Sequence, residues 1–329
     1  MPQTLAMYDA ALAHIGPRYE ALGLDLEVAT FDKEGFYTVG GLRKPPEDVE
    51  IDYVWFSQQI NRDGALKTIF DMALRTKRIG VLQTFNAGLD NPFYPKLSAK
   101  GTRILNSSAQ GVAIAEYTIG QVMAVLQPIA EQRRMQAAKE WRMTRFREIS
   151  QTHWLIAGFG PIGSAIAHRV KAFGAEVSVL RRSRASSEDA DRIGVLADAA
   201  AFAKDADVIV LACPLNDATR GMADAAFFKA VKPGAILVNI ARGGLIDDTA
   251  MIAALDDGRV ETAILDVFHT EPLPENDPLW THPKVRLTPH TSFAGDGGPG
   301  RWEALFLDNI ARFANGEPLL QEVDPADII

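Results

Sequence analysis

Apolar and polar positions along the first hundred residues follow two rhythms. Short apolar runs at 4–8, 26–30, 53–56, 79–84 and 103–106 have the length of buried strands, and helix-like stretches fit between most of them. That alternation predicts a parallel sheet covered on both faces. At 112–129 the rhythm breaks. Tyr117, Ile119, Val122, Met123, Leu126 and Ile129 leave almost no polar side, which predicts a buried helix. Arg133, Arg134, Lys139, Trp141, Arg142, Arg145 and Arg147 follow, with Glu131, Glu140 and Glu148 interspersed. A second strand–helix alternation then begins, with strands expected at 154–157, 176–180, 207–212, 235–240, 262–267 and 285–288. The expected architecture is α/β, with two doubly wound parallel-sheet domains.

Composition narrows the function classes. A chain of 329 residues suits about two domains. No apolar run approaches the roughly 20 residues of a membrane helix, and the first residues do not read as a secretory signal. Neither a membrane nor a metal is expected. One cysteine, Cys213, allows no intrachain disulfide and suits the cytoplasm. The net charge of −8 argues against nucleic acid. The basic stretch at 133–147 is therefore read as an exposed or subunit-facing arm.

After the apolar run at 154–157 comes Gly158-Phe159-Gly160-Pro161-Ile162-Gly163, followed by a helical pattern. Between a strand and a helix, this GxGxxG points to dinucleotide binding. The first glycine makes the turn, the second lets backbone approach a pyrophosphate, and the third packs helix against strand. The helix N-terminus offers N–H groups to the anion, and Pro161 is tolerated in its first turn. The end of the next strand reads Arg181-Arg182-Ser183-Arg184, where an NAD site places an acid for the ribose hydroxyls. Guanidinium groups suit a ribose phosphate, so NADP(H) is favoured over NAD(H).

Ligands of doubly wound sheets bind beyond the carboxyl ends of the strands. Arg242, Glu271 and His290 each follow a predicted strand of the second half and should emerge on the edge that carries the glycine loop. Reduction of a 2-oxo acid needs this set. An arginine holds the carboxylate and polarises the carbonyl, and a histidine donates the proton. A carboxylate beside the histidine orients it and favours its charged form.

Several motifs, in order, resemble the D-isomer-specific 2-hydroxyacid dehydrogenase family, especially its glyoxylate/hydroxypyruvate reductase branch. They are the glycine loop; Pro214-Leu215-Asn216 with Thr219-Arg220-Gly221; Val238-Asn239-Ile240-Ala241-Arg242-Gly243; Leu265-Asp266-Val267-Phe268 with Glu271-Pro272-Leu273; and Thr288-Pro289-His290. The resemblance covers roughly residues 79–325. It implies a flavodoxin-like substrate domain at 1–105 and 294–329, with a Rossmann cofactor domain at 106–293 inserted into it and the active site in the cleft. It implies a homodimer built on the helix and arm at about 112–147. Arg242 would bind the substrate carboxylate, His290 would donate the proton, and Glu271 would be its partner. Asn86-Ala87-Gly88 would offer backbone N–H groups to the same carboxylate, a sound anion site physically. Asp266, Cys213, Pro214, Ile240 and Ala241 would border the cofactor, with Cys213 inert and packed.

The segment at 291–298 is richer in glycine than the family pattern, which leaves the identity of the oxo acid open. Phe36, Tyr37 and Phe56 fit either a substrate pocket or the core. His269 is expected to be exposed, and Trp280 and Trp302 to fill apolar contacts. Two other readings remain. One is a dehydrogenase of a small anion such as formate or phosphite, although the formate enzymes pair the histidine with glutamine. The other is a dinucleotide-sensing, corepressor-like binding protein.

Overall fold

A computed structural model describes residues 2–328. The chain forms two compact α/β units. One spans Met1–Ala109 and Asp296–Ile329, and the other spans Gln110–Gly295. The family resemblance implied junctions at 105/106 and 293/294.

The first unit is built on seven strands: β1 (Gln3–Tyr8), β2 (Leu26–Phe31), β3 (Tyr37–Val39), β4 (Leu42–Lys44), β5 (Glu50–Trp55), β6 (Arg78–Gln83) and β7 (Arg103–Leu105). Their order is β4-β3-β2-β1-β5-β6-β7. The five long-range strands are parallel, in the flavodoxin order. The sheet is not wholly parallel, however, because β3 and β4 form an antiparallel edge hairpin that the apolar pattern does not predict. Tyr37 and Phe56 are fully buried, which assigns both to the core rather than to a pocket. Phe36 lies half-buried under the Arg43 guanidinium. The C-terminal helix Gly298–Ala314 closes this core, with Phe306 stacked on Trp55 at 4.0 Å.

The second unit holds β8 (His153–Ala157), β9 (Glu176–Leu180), β10 (Arg192–Gly194), β11 (Val208–Leu211), β12 (Ala235–Asn239), β13 (Val260–Leu265) and β14 (Val285–Leu287). All seven pair in parallel, in the order β10-β9-β8-β11-β12-β13-β14. That is the Rossmann order with a seventh strand added. Strands β8, β11 and β12 are buried at every position, as expected of parallel strands covered on both faces.

The apolar stretch at 112–129 is not one buried helix. Pro128 interrupts it, and the helices Gly111–Leu126 and Ile129–Ala138 meet at 54°. Ala113, Ile114, Ala115, Ile119, Val122 and Leu126 are buried, while Tyr117, Met123 and Val125 are only half covered. Among the described residues no single helix is long and apolar enough to cross a membrane. Beyond Ala138 the chain runs without helix or strand to Ile149 and exposes Trp141, Met143 and Phe146. Three arginines of this arm are occupied at home. Arg134 and Arg142 pair with Glu131 and Glu140, and Arg147 pairs with Glu261.

Candidate active site

The glycine loop leaves β8 and opens the helix Pro161–Ala172. Gly158 has φ +105°, and a Cβ there would lie 2.5 Å from the Cys213 nitrogen, so only glycine fits. A Cβ on Gly163 would lie 2.0 Å from the Gly158 carbonyl oxygen, which is the close helix–strand approach that the third glycine permits. Nothing lies within 4 Å of a Cβ built on Gly160. This open space faces a helix start whose first N–H groups have no intrahelical acceptor. Phe159, Pro161 and Ile162 complete the loop, and the residues present fit a dinucleotide pyrophosphate.

The ends of β8 and β9 lie side by side, because the Gly158 N–H donates to the Leu180 carbonyl. Arg181 follows at once, where an acid would sit in an NAD site. Its guanidinium lies 5.6 Å from the Phe159 ring centroid and donates to the Ala185 carbonyl. Arg182 and Ser183 are exposed. Arg184 turns away to Asp198, at 2.6 Å, and to the Ile193 carbonyl. The Val195 N–H, and then Arg184, hold the Asp198 carboxyl below the usual carboxylate range.

The three charged groups follow β12, β13 and β14, whose carboxyl ends share one sheet edge with the end of β8. Glu271 Oε2 lies 2.7 Å from His290 Nδ1, and Glu271 Oε1 accepts the Phe268 N–H at 2.9 Å. Both carboxylate oxygens are thus committed, and the imidazole is oriented through Nδ1. Arg242 is half-buried after Ile240 and Ala241, and its Nη1 donates to the Ala241 carbonyl. Its turn is held by the fully buried Asn239, whose side chain donates to the Arg242 carbonyl and accepts the Ala241 N–H. The loops after β12 and β13 touch, since a Cβ on Gly243 would lie 2.1 Å from the Phe268 carbonyl carbon.

His290 has φ +51°, a left-handed conformation that costs a non-glycine residue about 1–2 kcal/mol. The turn is stabilised from below by Asp266. That carboxylate is completely buried and accepts from Thr288 Oγ1 at 2.6 Å, the Thr291 N–H at 2.8 Å and the Ser292 N–H at 3.0 Å. Asp266, expected beside the cofactor, therefore spends its carboxylate on the backbone that presents His290. Sequence reading missed the part played here by Asn239 and Thr288. The available signal was a polar residue ending each apolar strand.

Cys213 sits half-buried at 3.6 Å from the Met222 sulfur, and burial pushes its thiol up to about 11. Pro214 follows it on the surface. His269 is half-exposed and bonds the Ile246 carbonyl at 2.9 Å. Trp302 is buried and donates to the Phe85 carbonyl, whereas Trp280 is 48% exposed and donates to the Pro274 carbonyl. In the first unit, Asn86-Ala87-Gly88 follows β6. Asn86 Nδ2 donates to the Tyr94 hydroxyl, and Asn106 donates to the Ala87 carbonyl. Among the described residues the N–H groups of Ala87 and Gly88 have no acceptor.

Comparisons with known proteins agree on one family. The profile described as "D-isomer specific 2-hydroxyacid dehydrogenase, NAD binding domain" matches residues 119–292. Glyoxylate/hydroxypyruvate reductase A of Serratia proteamaculans is 30% identical, over 75% of this chain and 78% of its own. A D-isomer specific 2-hydroxyacid dehydrogenase family protein of Aeromonas salmonicida is 27% identical with a TM-score of 0.76, covering 99% of this chain and all of that one. A family structure from Xanthobacter autotrophicus, in complex with NADPH and MES, shares the fold over both whole chains, with a TM-score of 0.76 at 24% identity.

Proposed function

Because the chain belongs to the D-isomer specific 2-hydroxyacid dehydrogenases, we propose that it is a cytoplasmic, homodimeric, NADP(H)-dependent reductase. Its substrate is a small 2-oxo acid of the glyoxylate or hydroxypyruvate class, and its product is the D-2-hydroxy acid. The observation that carries this reading is the His290–Glu271 pair, 2.7 Å apart on the sheet edge that also carries the glycine loop. The name of the Serratia relative favours the two-carbon and three-carbon oxo acids.

The nicotinamide, when bound, supplies the hydride to the keto carbon. His290 supplies the proton to the keto oxygen from Nε2, because Nδ1 is engaged by Glu271. Glu271 stabilises the imidazolium and, anchored by the Phe268 N–H, keeps the ring from turning. Arg242 grips the substrate carboxylate through its planar fork. The acceptor-less N–H groups of Ala87 and Gly88 support a role for 86–88 as an anion site of the first unit. Arg181, Arg182 and Ser183 contact the ribose phosphate, while Arg184 braces their loop through Asp198.

The test is the initial rate of NADPH and NADH oxidation with a panel of 2-oxo acids, for the wild type and for Arg181→Gln/Arg182→Gln. The wild type should prefer NADPH at least about tenfold, from charge-assisted bonds to the phosphate. The double variant should lose most of that preference by a rise in the Michaelis constant for NADPH. Equal effects on both cofactors would refute the NADP assignment. No turnover with any oxo acid would refute the reductase and favour a binding protein.

A further inference from the structure

Thr288 Oγ1 lies between two partners, Asp266 Oδ1 at 2.6 Å and the Tyr117 hydroxyl at 2.7 Å. An ionised carboxylate can only accept, so the single hydroxyl proton of Thr288 goes to Asp266. Tyr117 must then be the donor to Thr288. The bonds form one directed chain: Tyr117 to Thr288 to Asp266, with Asp266 also accepting the two N–H groups that follow His290 in sequence. We propose that Tyr117, on the helix Gly111–Leu126, is a positioning residue for His290, acting through Thr288 and Asp266 to hold the left-handed turn that aims the imidazole. This rests on the reading of His290 as the proton donor.

The placement of the chain supports this. Asp266 has no solvent contact, so every bond to it replaces water that cannot enter. Burial and the nearby Asp266 charge raise the Tyr117 phenol above its ordinary value, which keeps it protonated as a donor. Thr288 also ties the turn directly, since its carbonyl accepts the His290 N–H at 2.9 Å. A hydroxyl fixed at both ends leaves Thr288 one rotamer and Asp266 one orientation. Without the phenol, Thr288 Oγ1 loses the donor that fixes its direction and is free to rotate off the carboxylate. The Thr291 and Ser292 amides then hold Asp266 less firmly, and His290 can relax toward negative φ and away from Glu271. The charged groups that meet the turn are Glu271 against the ring and Asp266 beneath the backbone; Phe293 flanks the ring edge-on at 6.2 Å.

Three variants test the chain: Tyr117→Phe, which keeps the ring; Thr288→Val, which keeps the shape; and Thr288→Ser, which keeps the hydroxyl. Loss of one such bond should lower kcat about fivefold in Tyr117→Phe and more in Thr288→Val, with NADPH affinity unchanged. Thr288→Ser should restore turnover. Adding Tyr117→Phe to Thr288→Val should cost nothing further, because the link is already broken. In both impaired variants the reduction rate should fall off at lower pH than in the wild type, since Glu271 meets the ring less often. Imidazole nitrogen NMR shifts should show His290 losing its preference for a proton on Nδ1. A wild-type pH profile together with wild-type His290 nitrogen shifts in Tyr117→Phe and Thr288→Val would overturn the proposal, whatever their melting temperatures. The NMR arm does not depend on turnover. If His290→Ala stays active, the proton-donor reading fails, and the nitrogen shifts still decide whether Tyr117 positions the ring.

Discussion

Gly243→Ala should disable catalysis out of proportion to its size. Gly243 has an ordinary negative-φ backbone that alanine could adopt, so the constraint there is space alone. A Cβ would lie 2.1 Å from the Phe268 carbonyl carbon, 2.3 Å from the His269 nitrogen and 2.4 Å from the Phe268 oxygen. All three are backbone atoms, so no side chain can swing aside. Restoring ordinary contact requires the loops to part by about 1 Å, and an overpacking strain of that kind typically costs about 1–3 kcal/mol. One loop begins at Arg242, and the other carries Phe268, whose N–H anchors Glu271. Displacing reacting groups by about 1 Å costs on the order of 100-fold in rate. The expected result is a fall in kcat/KM of about 100-fold for the oxo acid, with NADPH affinity near normal, because the glycine loop lies on a different strand. Steady-state kinetics, a fluorescence titration with NADPH and a urea melt measure the three quantities. A kcat/KM within threefold of wild type, in a protein of unchanged stability, would refute the contact between the loops.

Arg184→Ala should raise the Michaelis constant for NADPH less than Arg181→Ala does, because Arg184 is already paired with Asp198; the reverse ranking in initial-rate assays would reassign the phosphate contact. Cys213 should resist iodoacetamide at pH 8, where a thiol raised to about 11 is thiolate to only about one part in a thousand, and should react as the pH approaches 11. Rapid labelling at pH 8, followed by mass spectrometry, would contradict that burial. Sedimentation equilibrium should give twice the 35.9 kDa chain mass at micromolar concentration, and Trp141→Glu/Met143→Glu should shift it toward the monomer, since both side chains are more than 80% exposed on the arm.

The parts of this protein that could be read from its sequence are those whose physics is local. Strands β8 and β11 announce themselves because strands covered on both faces are continuous apolar runs. Glu271 and His290 could be paired because each follows a strand, and parallel strands deliver their following residues to one edge. Short elements on edges were invisible. Strand β10 is three residues long, and the hairpin strand Leu42-Arg43-Lys44 is largely exposed, so neither carries an apolar signature. The helix expected at 112–129 was overextended because the apolar pattern outweighed Pro128, whose missing N–H and ring ended the helix. Phe173, spaced with Ile166 and Val170 as if on one helical face, falls at the C-cap, where the chain turns before Gly174, and is 44% exposed. The bond between Tyr117 and Thr288 joins residues 171 apart, and no spacing rule reaches that far. Asp266 was placed on its strand end, but its bonds to Thr288, Thr291 and Ser292 were not foreseen, because sequence gives the position of a side chain along a strand and not the backbone that folds over it.

The central claim is that His290, held by Glu271, protonates the oxo acid at a site whose cofactor is bound elsewhere on the sheet edge. Its most direct test is His290→Ala, assayed for turnover with saturating NADPH and oxo acid and, separately, for NADPH binding by fluorescence titration. The account predicts a loss of about 100- to 10,000-fold in kcat with an NADPH dissociation constant within twofold of wild type. Turnover close to wild type would contradict it and move the proton donor to another residue, with His269 the next to examine.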